Sequence, residues 1–132
     1  MDCRWKGKGR GKLAFAQPCA CFDGKLCGIY DGRPKRCRTF ECGLLKRVEA
    51  GEMATSVALK KISETKKRVE KVRELLHSLG QRDEHLALTK RYAQVMAEPI
   101  DLSGAENMAE LRGELMVAVH DLMQILQHDF LK

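Results

Sequence analysis

Five of the six cysteines lie between Cys19 and Cys42, and the residues between them are those that reverse a chain: Asp23-Gly24, Asp31-Gly32 and Arg33-Pro34. A thiolate is both a nucleophile and a soft metal ligand. Short reversals let sulfurs that are separated in sequence converge, so thiols tethered in one segment point to a shared ion more than to inert core packing. The spacing is Cys19-x-Cys21, then gaps of five, nine and four residues to Cys27, Cys37 and Cys42. It lacks the paired C-x-x-C knuckles of a zinc ribbon. Four nitrogen or sulfur donors make a structural zinc site, and iron–sulfur clusters also accept four irregularly spaced cysteines. Spacing therefore leaves zinc, iron and an iron–sulfur cluster open, with Cys19, Cys21, Cys27, Cys37 and Cys42 as five candidates for four positions. Cys3 stands apart in the amino-terminal arm.

The chain has 132 residues and a net charge of +6, unevenly spread. Residues 1–48 carry twelve Lys/Arg against four Asp/Glu, net +8, and the rest carry a net −2. Basicity thus belongs to the cysteine-bearing part. It suits nucleic acid, and equally it offsets the charge of a tetrathiolate cluster. The arm itself alternates glycine and base from Lys6 to Lys12, which reads as a mobile tail or as one limb of an exposed β-hairpin leading into Leu13-Ala-Phe15. No apolar run is long enough to cross a membrane, and Leu13-Ala-Phe-Ala16 is too short for a signal-peptide core. The expectation is a cytoplasmic chain with no membrane partner, in a compartment that keeps thiols reduced.

After the cysteines the pattern becomes helical. Pro34 suits a first helical position, and Lys35–Glu49 reads as one helix carrying Cys37, Leu44, Leu45 and Val48, stopped by Gly51. Cys37 and Cys42 are five positions apart, which does not place both on one helical face. An irregular first turn, or a helix starting after Cys37, is therefore expected if both are ligands. Thr55 or Ser56 would cap the next helix, in which Ala58, Ile62, Thr65, Val69, Val72, Leu76 and Leu79 form an apolar seam that ends at Gly80. Its other faces mix Lys, Arg and Glu at three- and four-residue spacing, the pattern of a solvated surface. Asp83 would cap a third helix with Leu86, Leu88, Tyr92, Val95 and Met96, stopping before Pro99. Ser103-Gly-Ala-Glu106 forms a capping box for a fourth helix reaching Phe130. That helix has two seams, Met108, Leu111, Leu115, Ala118, Leu122 and Ile125 beside Met116, Val119, Met123, Leu126 and Phe130. Two seams imply neighbours on two sides, from within a bundle or from a protein partner or second copy. His77, His85, His120 and His128 lack the four-residue spacing of helical zinc ligands and read as solvent-exposed.

The segment Gln17-Pro18-Cys19, with Cys27-x-Ile29-Tyr30-x-x-Arg33-Pro34-x-x-Cys37-Arg38-x-Phe40-x-Cys42, resembles the bacterial cysteine-cluster family of zinc- or iron-chelating proteins called YkgJ-like. The resemblance extends weakly through Leu44 to Gly51, and the helices beyond Leu79 carry no motif of it. It implies a chelating domain whose ligands include Cys19, Cys27, Cys37 and Cys42. It also implies a further cysteine group well upstream of Gln17, which the preceding residues do not hold. Either the start is truncated, or Cys21 or Cys3 fills in. Tyr30 and Phe40 would shield the site, while Arg33 and Arg38 would neutralise the thiolates or donate hydrogen bonds to them; otherwise the two arginines stay solvated.

The expected architecture is mainly α. A small irregular cysteine-rich metal-binding module, residues 1–50, precedes an α-helical hairpin or bundle, residues 51–132. The expected function is non-enzymatic chelation of zinc or iron. Nucleic-acid binding through the basic region, and an iron–sulfur or metal-dependent redox role, stand as alternatives. No Glu or His is placed by motif as a general base.

Overall fold

A computed structural model of the chain describes residues 6–7, 13–14, 19–99 and 107–131. The protein is mainly helical, and no helix among the described residues is long and apolar enough to cross a membrane. Contacts divide the chain into two units, Met1–Phe40 with Asp83–Ala87, and Glu41–Arg82 with Leu88–Lys132.

In the first unit, β1 (Lys6–Gly7) pairs antiparallel with β2 (Leu13–Ala14), Lys6 opposite Ala14 and Gly7 opposite Leu13. This is the hairpin alternative for the arm; Cys3 lies outside the described residues. A 3-10 turn at Tyr30–Gly32 and the short helix α1 (Lys35–Thr39) follow. Pro34 opens α1 as expected, its carbonyl accepting the N–H groups of Cys37 and Arg38 at 3.0 and 3.1 Å. The helix expected to run on to Glu49 is broken. Cys42 is extended, at φ −67° and ψ 132°, and a separate helix α2 (Gly43–Glu49) starts after it.

The second unit holds α2, α3 (Thr55–Ser78), α4 (Leu88–Ala97), α5 (Asn107–Ile125) and a terminal π-turn (Leu126–Phe130). Helix α2, which the sequence reading grouped with the cysteines, packs on α3 and on the π-turn, with Leu44 only 2% exposed. The core gathers Val72, Leu75, Leu76 and Leu79 from α3 and its end, Val95 from α4, and Leu115, Ala118 and Leu122 from α5. Each buried Leu or Val contributes roughly 1.5–3 kcal/mol relative to leaving it in water. The seam expected along α3 faces this core or lies half-buried beside it, and Leu75 widens it. On α5 the first seam supplies the core residues. In the second, Val119, Leu126 and Phe130 are half-buried while Met116 and Met123 are exposed.

The ends of these helices follow local chemistry. Glu52 N–H reaches Arg47 O and Gln81 N–H reaches Leu76 O, both at 2.9 Å, wrapping the last turns of α2 and α3 around Gly51 (φ +77°) and Gly80 (φ +90°). Only glycine takes that conformation without strain. Ala54, rather than Thr55 or Ser56, stands at the cap of α3. Asp83 shapes a turn instead of capping a helix: its Oδ1 accepts from His85 N–H at 3.0 Å and its carbonyl from Leu86 N–H at 3.2 Å. Helix α4 therefore begins only at Leu88. It ends before Pro99, where Arg112 from α5 donates to Glu98 O (2.6 Å) and Met96 O (3.1 Å), a cation on the carbonyl end of a helix. The capping box at Ser103–Glu106 lies outside the described residues.

Candidate metal centre

The cysteine segment is built from turns. Phe22 and Cys27 form an antiparallel bridge, closed by Asp23 N–H to Leu26 O at 3.1 Å and flanked by Gly28 N–H to Cys21 O at 2.7 Å. Asp23 Oδ1 accepts the N–H groups of Lys25 (2.8 Å) and Leu26 (2.7 Å), fixing the loop. Those two bonds, Leu26 first, hold the Asp23 carboxyl below its ordinary value. A Cβ at position 28 would lie 3.3 Å from Cys21 O, a tight approach that glycine avoids.

This hairpin separates two of the five cysteines. Neighbouring residues of a strand face opposite sides, so Cys27 shares a face with its cross-strand partner Phe22, and Cys21 takes the other. Cys21 is 2% exposed and disulfide-bonded, which removes it as a fifth thiolate donor in this arrangement. Cys19, Cys27, Cys37 and Cys42 are not disulfide-bonded. Cys37 is exposed on α1, while Cys19, Cys27 and Cys42 are half-buried. Among the described residues, no three Cys, His, Asp or Glu side chains come together as a group able to hold a metal ion. In place of an irregular first turn or a helix starting only after Cys37, the short helix α1 holds Cys37 and a break at Phe40–Cys42 precedes α2.

The groups expected around the site sit differently. Arg33 lies over the Tyr30 ring, 3.8 Å from its centroid, so its cation is engaged by the aromatic face. Arg38 is exposed. Tyr30 and Phe40 are 61% and 60% exposed. All four histidines are exposed.

The helical unit contains a polar centre that the sequence reading missed. Asp129 is 6% exposed and accepts from Lys61 Nζ at 3.3 Å on both oxygens, from Arg47 Nη1 at 3.4 Å and from His128 Nδ1 at 3.0 Å. Arg47 Nη2 also donates to His128 O at 2.9 Å, and Thr65 Oγ1 satisfies itself on Lys61 O at 2.7 Å. Burial alone would raise the Asp129 pKa. The hydrogen bonds from His128 and Lys61, the Lys61 charge and the Arg47 hydrogen bond outweigh it, and the carboxyl is held below 3.8. A signal for it existed, since the seam Leu115, Ala118, Leu122, Ile125 continues by one four-residue step to Asp129. A carboxylate at a core position requires cationic partners. The cluster ties α2, α3 and the π-turn together and offers no nucleophile.

Comparison of the chain with protein-family models, with curated proteins and with solved structures found no match.

Proposed function

We propose that the protein is a cysteine-cluster metal-binding protein, non-enzymatic, taking zinc first and iron or an iron–sulfur cluster second. One observation carries this reading: in the short segment 19–42, Cys19, Cys27, Cys37 and Cys42 all keep thiols outside any disulfide. Four thiolates suit zinc or an iron–sulfur cluster by softness and by number. Their basic surroundings, net +8 over residues 1–48, offset the charge that a tetrathiolate cluster would carry. The resemblance to the YkgJ-like family points to the same four residues.

The test is metal analysis with visible absorption on protein purified without oxygen. The expected result is about one zinc per chain, or the visible bands of iron–sulfur ligation. A colourless preparation without stoichiometric metal overturns the reading. The same charge asymmetry supports a second reading, binding of nucleic acid by the basic region. Phosphate contacts make such binding fall steeply with salt, so retention on DNA or RNA that is absent or indifferent to salt rejects it.

A further inference from the structure

Helix α5 gives one side to the core it shares with α3 and α4, through Leu115, Ala118 and Leu122. Its opposite side is exposed and reads, at alternating steps of four and three, Ala109, Gly113, Met116, His120, Met123 and, in the π-turn, Gln127. No Asp, Glu, Lys or Arg stands on that stripe. A helix face turned to water ordinarily carries charge, as α3 does with exposed Lys60, Lys67, Lys71 and Glu74. The charges on either side of the stripe turn inward instead. Arg112 donates to the carbonyls that end α4, and Asp121 meets Arg68 of α3 at 3.9 Å. Gly113 adds an independent sign. Glycine weakens a helix interior, yet an added Cβ at 113 would meet no atom within 4 Å, so nothing inside the chain calls for it. A bare position in the middle of an exposed stripe lets another backbone come close.

We infer that a second copy of the chain docks on this stripe, its own α5 lying antiparallel. The stripe tapers from small residues to large ones, and only reversal matches it to itself. Turned about the point midway between Met116 and His120, Ala109 of one copy meets Gln127 of the other, Gly113 meets Met123, and Met116 meets His120. Each small residue thus receives a large one. A parallel copy would set Gly113 on Gly113 and Met123 on Met123, leaving a gap at one end and crowding at the other. Reversal also brings the flank that bears Glu110 beside the flank that bears His128, a carboxylate near an imidazole. Alternating steps of four and three are those of a coiled-coil seam, and the same patch used by both copies closes the assembly at two. One helix pair about 28 Å long makes a small interface, so the dimer is reversible and of micromolar affinity.

Sedimentation of the full chain, purified without oxygen, between about 1 µM and 1 mM tests this. The expected result is monomer at the low end and dimer at the high end. Met116→Glu, at a position 49% exposed, is expected to raise the dimer Kd by about tenfold or more while leaving the circular dichroism and the urea midpoint of the monomer in place. Orientation is read from charge pairs. Met123→Lys alone is expected to weaken the dimer, and Gly113→Glu added to it in the same chain to tighten it again by about threefold or more, because reversal sets each new carboxylate against a new ammonium. A chain that stays monomeric throughout overturns the inference and leaves the stripe to a different protein. A dimer indifferent to Met116→Glu, or a double variant no tighter than Met123→Lys, overturns it too.

Discussion

In the helical unit, a residue's conformation is decided by residues far away in sequence. Leu76 and Leu115 meet in one core, and Asp129 is bound by side chains 68 and 82 positions earlier. In the cysteine unit, the hydrogen bonds and ring contact described between Cys19 and Arg33 link residues two to seven positions apart: Cys19 with Phe22, Asp23 with Lys25 and Leu26, Cys21 with Gly28, Tyr30 with Arg33. A local hydrogen bond exchanged for water contributes only about 0.5–1.5 kcal/mol net, whereas burial sums over many side chains. The comparison teaches that the first kind of order is cooperative and tolerant of conditions. The second rests on local bonds and on the disulfide of Cys21.

The strongest way to break this contrast is to truncate one side chain in each unit. Leu76→Ala, at a site with 0% exposure, is expected to lower stability by about 2–5 kcal/mol in urea unfolding. Leu26→Ala, at 72% exposure, is expected to change it by about 0.5 kcal/mol or less. Equal effects would remove the distinction.

A smaller effect sharpens the account of the helical unit. Asp129→Asn leaves Lys61 and Arg47 without their carboxylate, and a loss of about 1–3 kcal/mol is expected. It stays below the cost of breaking a fully buried pair because those side chains remain 35% and 26% exposed. The pH dependence follows the direction of the shift. With the folded carboxyl below 3.8, the unfolded chain binds the proton first as pH falls. The stabilisation is therefore complete above the ordinary value and is lost as pH drops through the folded one. Wild type is expected to show this acid slope, and Asp129→Asn to lack that share of it, in unfolding measured from pH 6 down to about pH 2. The smallest destabilisation expected within the helical unit is that of Gly80→Ala. No atom stands within 4 Å of the new Cβ, so the cost is the left-handed backbone alone, about 1–2 kcal/mol, read as a shifted urea midpoint with unchanged slope.

Much of the helical unit was legible from periodicity, because a buried helix face repeats: Ala58, Thr65, Val72, Leu76 and Leu79 are where the seam puts them. Stops were legible wherever one residue decides them, as Gly51, Gly80 and Pro99 do. What escaped were features set by competition between neighbours. Asp83 looked like a helix cap but finds partners in its own turn, and the chain from Lys35 to Glu49 satisfied helical spacing while breaking at Phe40–Cys42. The cysteine spacing announced donors but carried no information about which sulfurs share a face. That follows from the hairpin register, which puts Cys27 with Phe22 and away from Cys21.

The Asp129 anchor has a consequence during synthesis. Helices α2 and α3 leave the ribosome long before the residue that clasps Arg47 and Lys61 has been translated, so their nascent forms wait with two cations uncompensated and the faces of Leu76 and Val72 uncovered. The clasp on the two helices thus waits for a residue that follows Arg47 by 82 positions and Lys61 by 68.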